Sequence, residues 1–233
     1  MLPVKDLARF DYFHNFPHIA LCAAPVSLDA IQGSYGGKPH GQLEIIRHED
    51  LADSEYVLPS AACYPVFFDL QGATIETTLH TGVMAQCFRN EPRYEGLIRL
   101  RAFSMKEIVC VGTLESAQAH LILFRNEISQ LLQSLGIPFS IRPAVDSFYD
   151  KASSRAVMQR LVPVKEEFLY EDQLAISSLN LHRNFFGERC GIKLPGGQPA
   201  FSSCVGFGIE RWMHTLLSHF GGDLQRIERA LAG

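Results

Sequence analysis

The chain has 233 residues, 47% hydrophobic and 20% charged, which against about 150 residues per domain is one large domain or a domain with an insertion, with the composition of a globule that buries a sizeable core. Lys and Arg number 21 and Asp and Glu 25, a formal charge of −4; this argues against a surface whose main affinity is for nucleic-acid phosphates. No window approaches about 18 uninterrupted apolar residues, and MLPVKDLARFDYFHNF lacks the basic, apolar, small-residue order of a secretory signal, so no membrane span is expected and the cytoplasm is the expected compartment.

Six cysteines stand at 22, 63, 87, 110, 190 and 204, with no CxxC pair among them. In a reducing compartment the plain reading is six inert thiols. In chain order, FPHIALCAAP reads as a buried strand ending at Pro25, and residues 33–42, with four glycines and a proline, read as a loop. The run YVLPSAACYPVFFDLQG suggests strands on either side of Pro59 and Pro65. Residues 84–112 look like an antiparallel hairpin around EPRYEG, with Leu97, Leu100 and Ala102 alternating with Arg99, Arg101 and Phe103. Thr113 is a good N-cap for a helix with Leu121, Phe124, Ile128, Leu131 and Leu135 at helical spacing, closed by Gly136. GIPFSIRP reads as a short strand, and 151–167 as helical with a break at Pro163. A strand and short helix follow in EDQLAISSLNLHRNFFGERCGIKL, then an apolar strand, a glycine turn and an amphipathic helix in FSSCVGFGIERWMHTLLSHF. This order favours an α+β fold with an antiparallel sheet.

Arg89 and Glu91, two apart, project to one face of a strand, as do Arg99, Arg101 and Phe103 on the return arm. Such a face suits a nucleoside triphosphate: Arg for phosphate, Phe for the base and a carboxylate for an exocyclic amine. On pattern alone, a solvated sheet face with cross-strand ion pairs is the better account. In VGFGIERW, Gly206 and Gly208 let the backbone approach a ligand and Arg211 opens a helix, a weak signal by itself. His80, His120 and His182 have no spacing that singles them out and read as ordinary polar or capping residues.

Taken together, FRNE followed by GLIRLRAFSMKE resembles the second signature motif of class II aminoacyl-tRNA synthetases, and GFGIER resembles the third. ISSLNLHRNFFGERCGI (176–192) is similar to the ISS block of the seryl type, and VLPSAACYPVF to the block that meets the amino acid's α-amino group. Cys63 in that block resembles the zinc-dependent branch, which comprises atypical archaeal seryl-tRNA synthetases and their truncated relatives, the amino acid:[carrier protein] ligases. AVDSFYD and LNLHRNFFG resemble the ligases in particular, and the likeness covers about residues 55–215.

The resemblance implies a class II synthetase-like antiparallel sheet flanked by helices, with 1–233 a single catalytic domain and 143–173 a partner-binding insert. It implies Zn²⁺ on Cys63, Glu107 and Cys204, a donor set suited to that ion. Arg89 would hold the α-phosphate of ATP and the substrate carboxylate, Glu91 the adenine amine and Arg99 the terminal phosphates, while Phe103 and Arg211 would sandwich adenine and Ser177 would touch ribose or metal. The family places an acidic Mg²⁺ ligand ahead of ISS; Ala175 stands there, so either Glu171, Asp172 or Gln173 would substitute or ATP oxygens would mainly hold the magnesium. The implied activity is activation of a small amino acid, glycine or alanine, to an adenylate and its transfer to the phosphopantetheine thiol of an acidic carrier protein. That protein would dock on Lys151, Arg155, Arg160 and Lys165. No tRNA-gripping arm is visible, so tRNA is not expected as a partner. A homodimer is expected, with ARFDYFHNFPHIALCAAP as what remains of motif 1. Two other readings stay open: a synthetase-like enzyme with another acceptor, and a non-catalytic paralogue that binds ATP or an amino acid.

Overall fold

The computed structural model describes residues 1–35 and 45–232. Of the loop expected over 33–42, residues 36–42 lie outside the described residues, and 33–35 end a π-helical turn, Ile31–Tyr35. Strands β1 (Leu2–Pro3), β2 (Leu21–Ala23) and β3 (Tyr56–Leu58) form a small antiparallel sheet in the order β1-β3-β2. Strands β4 (Leu79–Phe88), β5 (Ala102–Gly112), β6 (Phe139–Pro143), β7 (Lys165–Tyr170), β8 (Leu174–Arg183) and β9 (Phe201–Gly208) form the main sheet in the order β4-β5-β9-β8-β7-β6. Every neighbouring pair in it is antiparallel. The helices are α1 (Val4–Ala8), α2 (Tyr12–Asn15), α3 (Leu28–Ala30), α4 (Tyr64–Asp69), α5 (Leu114–Ser134), α6 (Ser154–Leu161), α7 (Phe185–Cys190), α8 (Ile209–His219) and α9 (Leu224–Ala232). The architecture is α+β, as the order of elements suggests.

Strand alternation divides the side chains between the two faces of the main sheet. Val109, Val111 and Cys204 point to one face and pack with Leu7, Phe10, Tyr12, Phe67 and Phe186 from the amino-terminal helices, α4 and α7. Phe168, Leu179 and Val205 point to the other and meet Ile128, Leu132 and Leu135 from α5 and its exit. The α5 cap forms as expected, with Thr113 Oγ1 accepting the Ser116 N–H at 3.2 Å and Gly136 at φ +67° beyond the helix. The buried stripe is narrower than the spacing suggests: Leu132 is fully buried, while Leu131, one step round the helix, is 43% exposed.

Four local expectations change. Pro65 opens a helix, α4, instead of ending a strand, because its ring suits the first helical turn, where the missing N–H costs nothing. FPHIALCAAP gives only the three residues of β2, with Cys22 exposed, since β2 is an edge strand on a three-stranded sheet. The hairpin ladder runs from Leu79↔Val111 to Phe88↔Ala102, so residues 89–101 are a loop and Arg89, Glu91 and Arg99 sit on it and not on a strand. The helix in 151–167 stops at Leu161, where Val162, held ahead of Pro163, leaves the helical region (φ −129°, ψ 86°). Of the insert expected over 143–173, residues 144–164 leave the sheet, and 165–170 return to it as β7.

Helix α7 lies so close to the start of β9 that a Cβ on Gly187 would sit 2.1 Å from the Ala200 carbonyl oxygen. Gly187→Ala is expected to destabilise the fold by about 1–3 kcal/mol or more through this backbone overlap, measured as a lower urea midpoint. An unchanged midpoint would show that α7 shifts freely.

Candidate active site

The site is built on the sheet face that α5 does not cover. On β5, Met105 and Glu107 point to it. Gly206 pairs with Glu107 on β9, and a Cβ there would touch Met105, Ser178 Oγ and Glu107, each within 3.2–3.9 Å. Glycine therefore keeps the floor of the cleft open at its centre. Two cavities open on this floor and share Arg89, Met105, Lys165, Ser178 and Gly206 as walls. The larger, about 470 Å³, contains Cys63, Glu107 and Cys204. The smaller, about 110 Å³, contains Glu91, Arg99, Phe103 and Arg211.

Cys63, Glu107 and Cys204 come from the turn before α4, from β5 and from β9, and their ligating atoms all lie within 4.8 Å of one another. All three residues are buried, at 5%, 4% and 2% exposure. Glu107 accepts the Ala62 N–H at 2.9 Å on one oxygen and the Cys204 thiol at 3.0 Å on the other. The Cys204 thiol is held well above its ordinary pKa by its hydrogen bond with Cys63, by burial and by the Glu107 carboxylate. For Cys63 the Cys204 contact pulls downward, but burial and the same carboxylate outweigh it and raise the thiol to about 11. Two thiols and a carboxylate packed together out of water form a donor set in which a borderline-soft divalent cation can replace the thiol protons. The donor set fits zinc.

Arg89 stands at the junction of the two cavities. Its guanidinium donates to the Ser60 carbonyl at 3.1 Å and lies 4.9 Å from the centre of the Phe103 ring. Arg211, at the start of α8, donates from Nε to Ile98 O and from Nη1 to Ala175 O, both at 2.9 Å, and so ties the 89–101 loop to β8. Arg99 pairs with Glu91 at 2.6 Å and with Glu95 at 3.4 Å. The loop is folded over the smaller cavity, whose volume is below the about 300–1,000 Å³ of ordinary ligand pockets.

Ser177 lines the smaller cavity, and its Oγ accepts the Trp212 indole N–H at 3.0 Å. Ser178, on the floor shared by both cavities, receives Asn180 Nδ2 at 3.1 Å. Other expected residues fall elsewhere. Glu171 and Asp172 occupy the β7–β8 turn at positive φ, and Asp172 pairs there with Arg142 at 2.8 Å; neither Glu171, Asp172 nor Gln173 lines either cavity. The carboxylates on the smaller cavity, besides Glu91, are Glu167 and Glu210, and both oxygens of Glu210 are taken by the Ser104 N–H. The four expected docking cations are not one patch. Lys151 and Arg160 are exposed and joined by Arg160 donating to the Lys151 carbonyl at 2.8 Å. Arg155 faces the larger cavity, 4.3 Å over the Phe185 ring, and Lys165 is held inside by Asp146 at 3.2 Å and Glu167 at 3.1 Å.

Asp146, Asn180 and His182 on the larger cavity were not singled out from the sequence. The period-2 run Ser178, Asn180, His182 on β8 carried that signal, whereas Asp146, with Gln159 and Lys165 as partners, had no spacing to betray it.

The six-stranded antiparallel sheet flanked by helices is the class II aminoacyl-tRNA synthetase core fold. The family model for the tRNA synthetase class II core domain (G, H, P, S and T) matches residues 78–220. Amino acid–[acyl-carrier-protein] ligase 1 of Bradyrhizobium diazoefficiens is 30% identical, with 95% of this chain and 71% of that protein covered. Ligase 2 of the same organism is 30% identical over 94% of this chain and 67% of its own length. Among solved structures, that of Methanopyrus kandleri seryl-tRNA synthetase with A. aeolicus tRNASec superposes with a TM-score of 0.78 at 20% identity, covering 100% of this chain and 50% of that one. The chain belongs to the class II synthetase core family and, within it, to the amino acid–[acyl-carrier-protein] ligases. Among the described residues, no helix is long and apolar enough to cross a membrane.

His182 shows how the cavity wall titrates. Its ring lies against Phe67 and Phe186 and contacts Ser202 Oγ at 3.1 Å. Burial lowers its pKa to about 4, with Asp146 pulling upward and Arg155 downward. In the unfolded chain the imidazole takes a proton near pH 6.5, so this contribution to stability is complete above that pH and is lost as pH falls towards about 4. His182→Gln is expected to lose less stability than the wild type between pH 7 and pH 5 in urea unfolding; equal losses would mean that His182 does not titrate there.

Proposed function

We propose that this chain activates a small amino acid with ATP and passes it to the phosphopantetheine thiol of an acidic carrier protein. The observation that carries this reading is the position of Arg89, shared by the cavity of the Cys63–Glu107–Cys204 trio and the cavity of Glu91, Arg99, Phe103 and Arg211. A group held at the trio and a nucleotide held under the loop would meet beside this guanidinium. The names of the two Bradyrhizobium ligases support the choice of acceptor.

In the first step a carboxylate oxygen of the amino acid bonds to the α-phosphorus and pyrophosphate leaves. No base is needed, because the nucleophile is already ionised. Arg89 offsets the charge that builds on the pentavalent phosphorus and keeps the carboxylate in line. Arg211 is fixed through two backbone carbonyls, which leaves its flat face, with the Phe103 ring, for adenine. Glu91 and Arg99 neutralise each other as they stand; ATP would exchange that pair for an adenine amine on Glu91 and terminal phosphates on Arg99, with the loop lifting to admit it. Mg²⁺ would arrive with ATP, and Glu167 on the cleft wall is the carboxylate set to meet it. Cys63, Glu107 and Cys204 would hold Zn²⁺, which when bound supplies a Lewis-acid position for the deprotonated α-amine and so separates amino acids from hydroxy acids. In the second step the carrier thiolate bonds to the carbonyl carbon and AMP leaves, the thiol proton passing to solvent. Lys151 and Arg160, the exposed cations of the excursion between β6 and β7, are the docking charges.

Amino-acid-dependent ATP–pyrophosphate exchange with glycine or alanine tests the first step. Arg89→Ala is expected to lower it by about 10²–10³-fold, the usual effect of removing one transition-state donor. No exchange by the wild type with any amino acid would favour the non-catalytic reading. Cys204→Ser is expected to remove both the exchange activity and one bound zinc, read by metal analysis. Lys151→Glu with Arg160→Glu should weaken loading of holo carrier protein and leave exchange intact; unchanged loading would move the docking surface elsewhere, and loading of tRNA in its place would favour the other acceptor.

A further inference from the structure

On the opposite face of the sheet, beneath α5, a second set of metal-ligating side chains converges. His80 on β4 and Cys110 on β5 are cross-strand partners and so present their side chains to the same face. Helix α5 returns over that face and brings His120 down onto it. The ligating atoms of His80, Cys110 and His120 all lie within 4.8 Å of one another, and the two imidazole rings are 5.2 Å apart between centres. Cys110 is fully buried and His120 is 3% exposed, while His80 lies at the solvent edge.

The hydrogen bonding of His120 points to a missing partner. Its Nε2 lies 3.2 Å from the Ile108 carbonyl, which can only accept, so Nε2 carries the proton and Nδ1 keeps its lone pair. That Nδ1 is buried and, among the described residues, has no hydrogen-bond partner. An imidazole that gives one N–H to a backbone carbonyl and leaves the other nitrogen bare is the arrangement of a metal-bound histidine, whose tautomer and orientation are fixed by that carbonyl. A satisfied core histidine would have both nitrogens engaged. Two imidazoles and a thiolate suit a borderline-soft divalent ion, and exposed His80 supplies both the entry path and the mobile ligand that can close the set.

We propose that His80, Cys110 and His120 form a second metal site, for a zinc-class divalent cation, that clamps α5 to the β4–β5 hairpin. The site shares no residue with the cleft and does not depend on the reading given to Cys63, Glu107 and Cys204. Chelator-stripped full-length protein titrated with Co²⁺, followed by its thiolate charge-transfer and d–d absorption, and then with Zn²⁺, tests it. The wild type is expected to take up two equivalents. The Cys63→Ser, Cys204→Ser double variant should retain one, with thiolate-to-cobalt absorption, and Zn²⁺ should still raise its Tm. Cys110→Ser should lose the other and keep its pyrophosphate exchange. Loss of an outer-shell partner of a metal ligand already costs about 10–100-fold in affinity, so His80→Ala, at an exposed position with little effect on folding, should weaken one of the two equivalents by at least that much. If the double variant binds none while the wild type binds one, or if binding is indifferent to both His80→Ala and Cys110→Ser, the second site is overturned and the cleft reading stands. One wild-type equivalent that survives in the double variant and disappears in Cys110→Ser would support the second site and remove zinc from the cleft.

Discussion

The buried carboxylate of Glu107 is the constraint on which the rest of the cleft depends. It sits 4% exposed in the central part of β5, one oxygen on the Ala62 N–H and the other on the Cys204 thiol. Burying a carboxylate is costly unless its lone pairs are satisfied, so these two contacts fix the turn before α4 and the middle of β9 against β5. The same two contacts carry Cys63 and Cys204 to the carboxylate. Structural need and chemistry thus coincide: the interactions that make Glu107 tolerable in the core also assemble the donor set.

From that point the arrangement of the two cavities follows from strand geometry. Gly206 pairs with Glu107 and keeps the floor open. Met105, two residues before Glu107, lies on the same face, and the chain between β4 and β5 then folds back over it as the 89–101 loop. The loop is held by charge on charge and by charge on carbonyl: Arg99 on Glu91 and Glu95, and Arg211 on Ile98. The ion pairs are partly exposed, and such contacts contribute little net stability in water. A loop closed by such bonds can exchange them for the phosphates and base of a nucleotide without disturbing the core beneath, where Glu107 and its neighbours stay fixed.

Much of this was legible in the residues. Thr113 and Gly136 mark the ends of α5 because capping chemistry is local, and FSSCVGFG followed by IERW marks strand and helix because the period changes from two to 3.6 within one turn. The two motif arginines and the acidic trio were legible as a likeness of pattern, and the structure places the trio within coordination reach. What stayed hidden depended on parity and return paths. The bulge on β8 leaves Ile176 between residues paired to Leu169 and Phe168, which breaks the period-2 pattern ahead of Ser177. YPVFFD is too short for its period to separate strand from helix, so the sequence suggests a strand where α4 forms. Arg155 and Lys165 read as docking charges for an acidic partner, yet Phe185 and Asp146, distant in sequence, draw them inward.

The histidines make the same point more sharply. His80 and His120 are 40 positions apart and neither stands at a ligand spacing from a cysteine, so no motif joins them. Their meeting is fixed by two things the sequence states only indirectly: the hairpin register that sets His80 opposite Cys110, and the cap at Thr113 that turns α5 back over the same strand. Each is a weak local preference, and together they leave Nδ1 of His120 buried and, among the described residues, without a hydrogen-bond partner. Spacing rules find sites that lie within one element or one turn. A site made by a strand pair and the helix that crosses it becomes visible only when the unsatisfied atom is located, which is why the buried Nδ1, and not the number of histidines, carries the assignment.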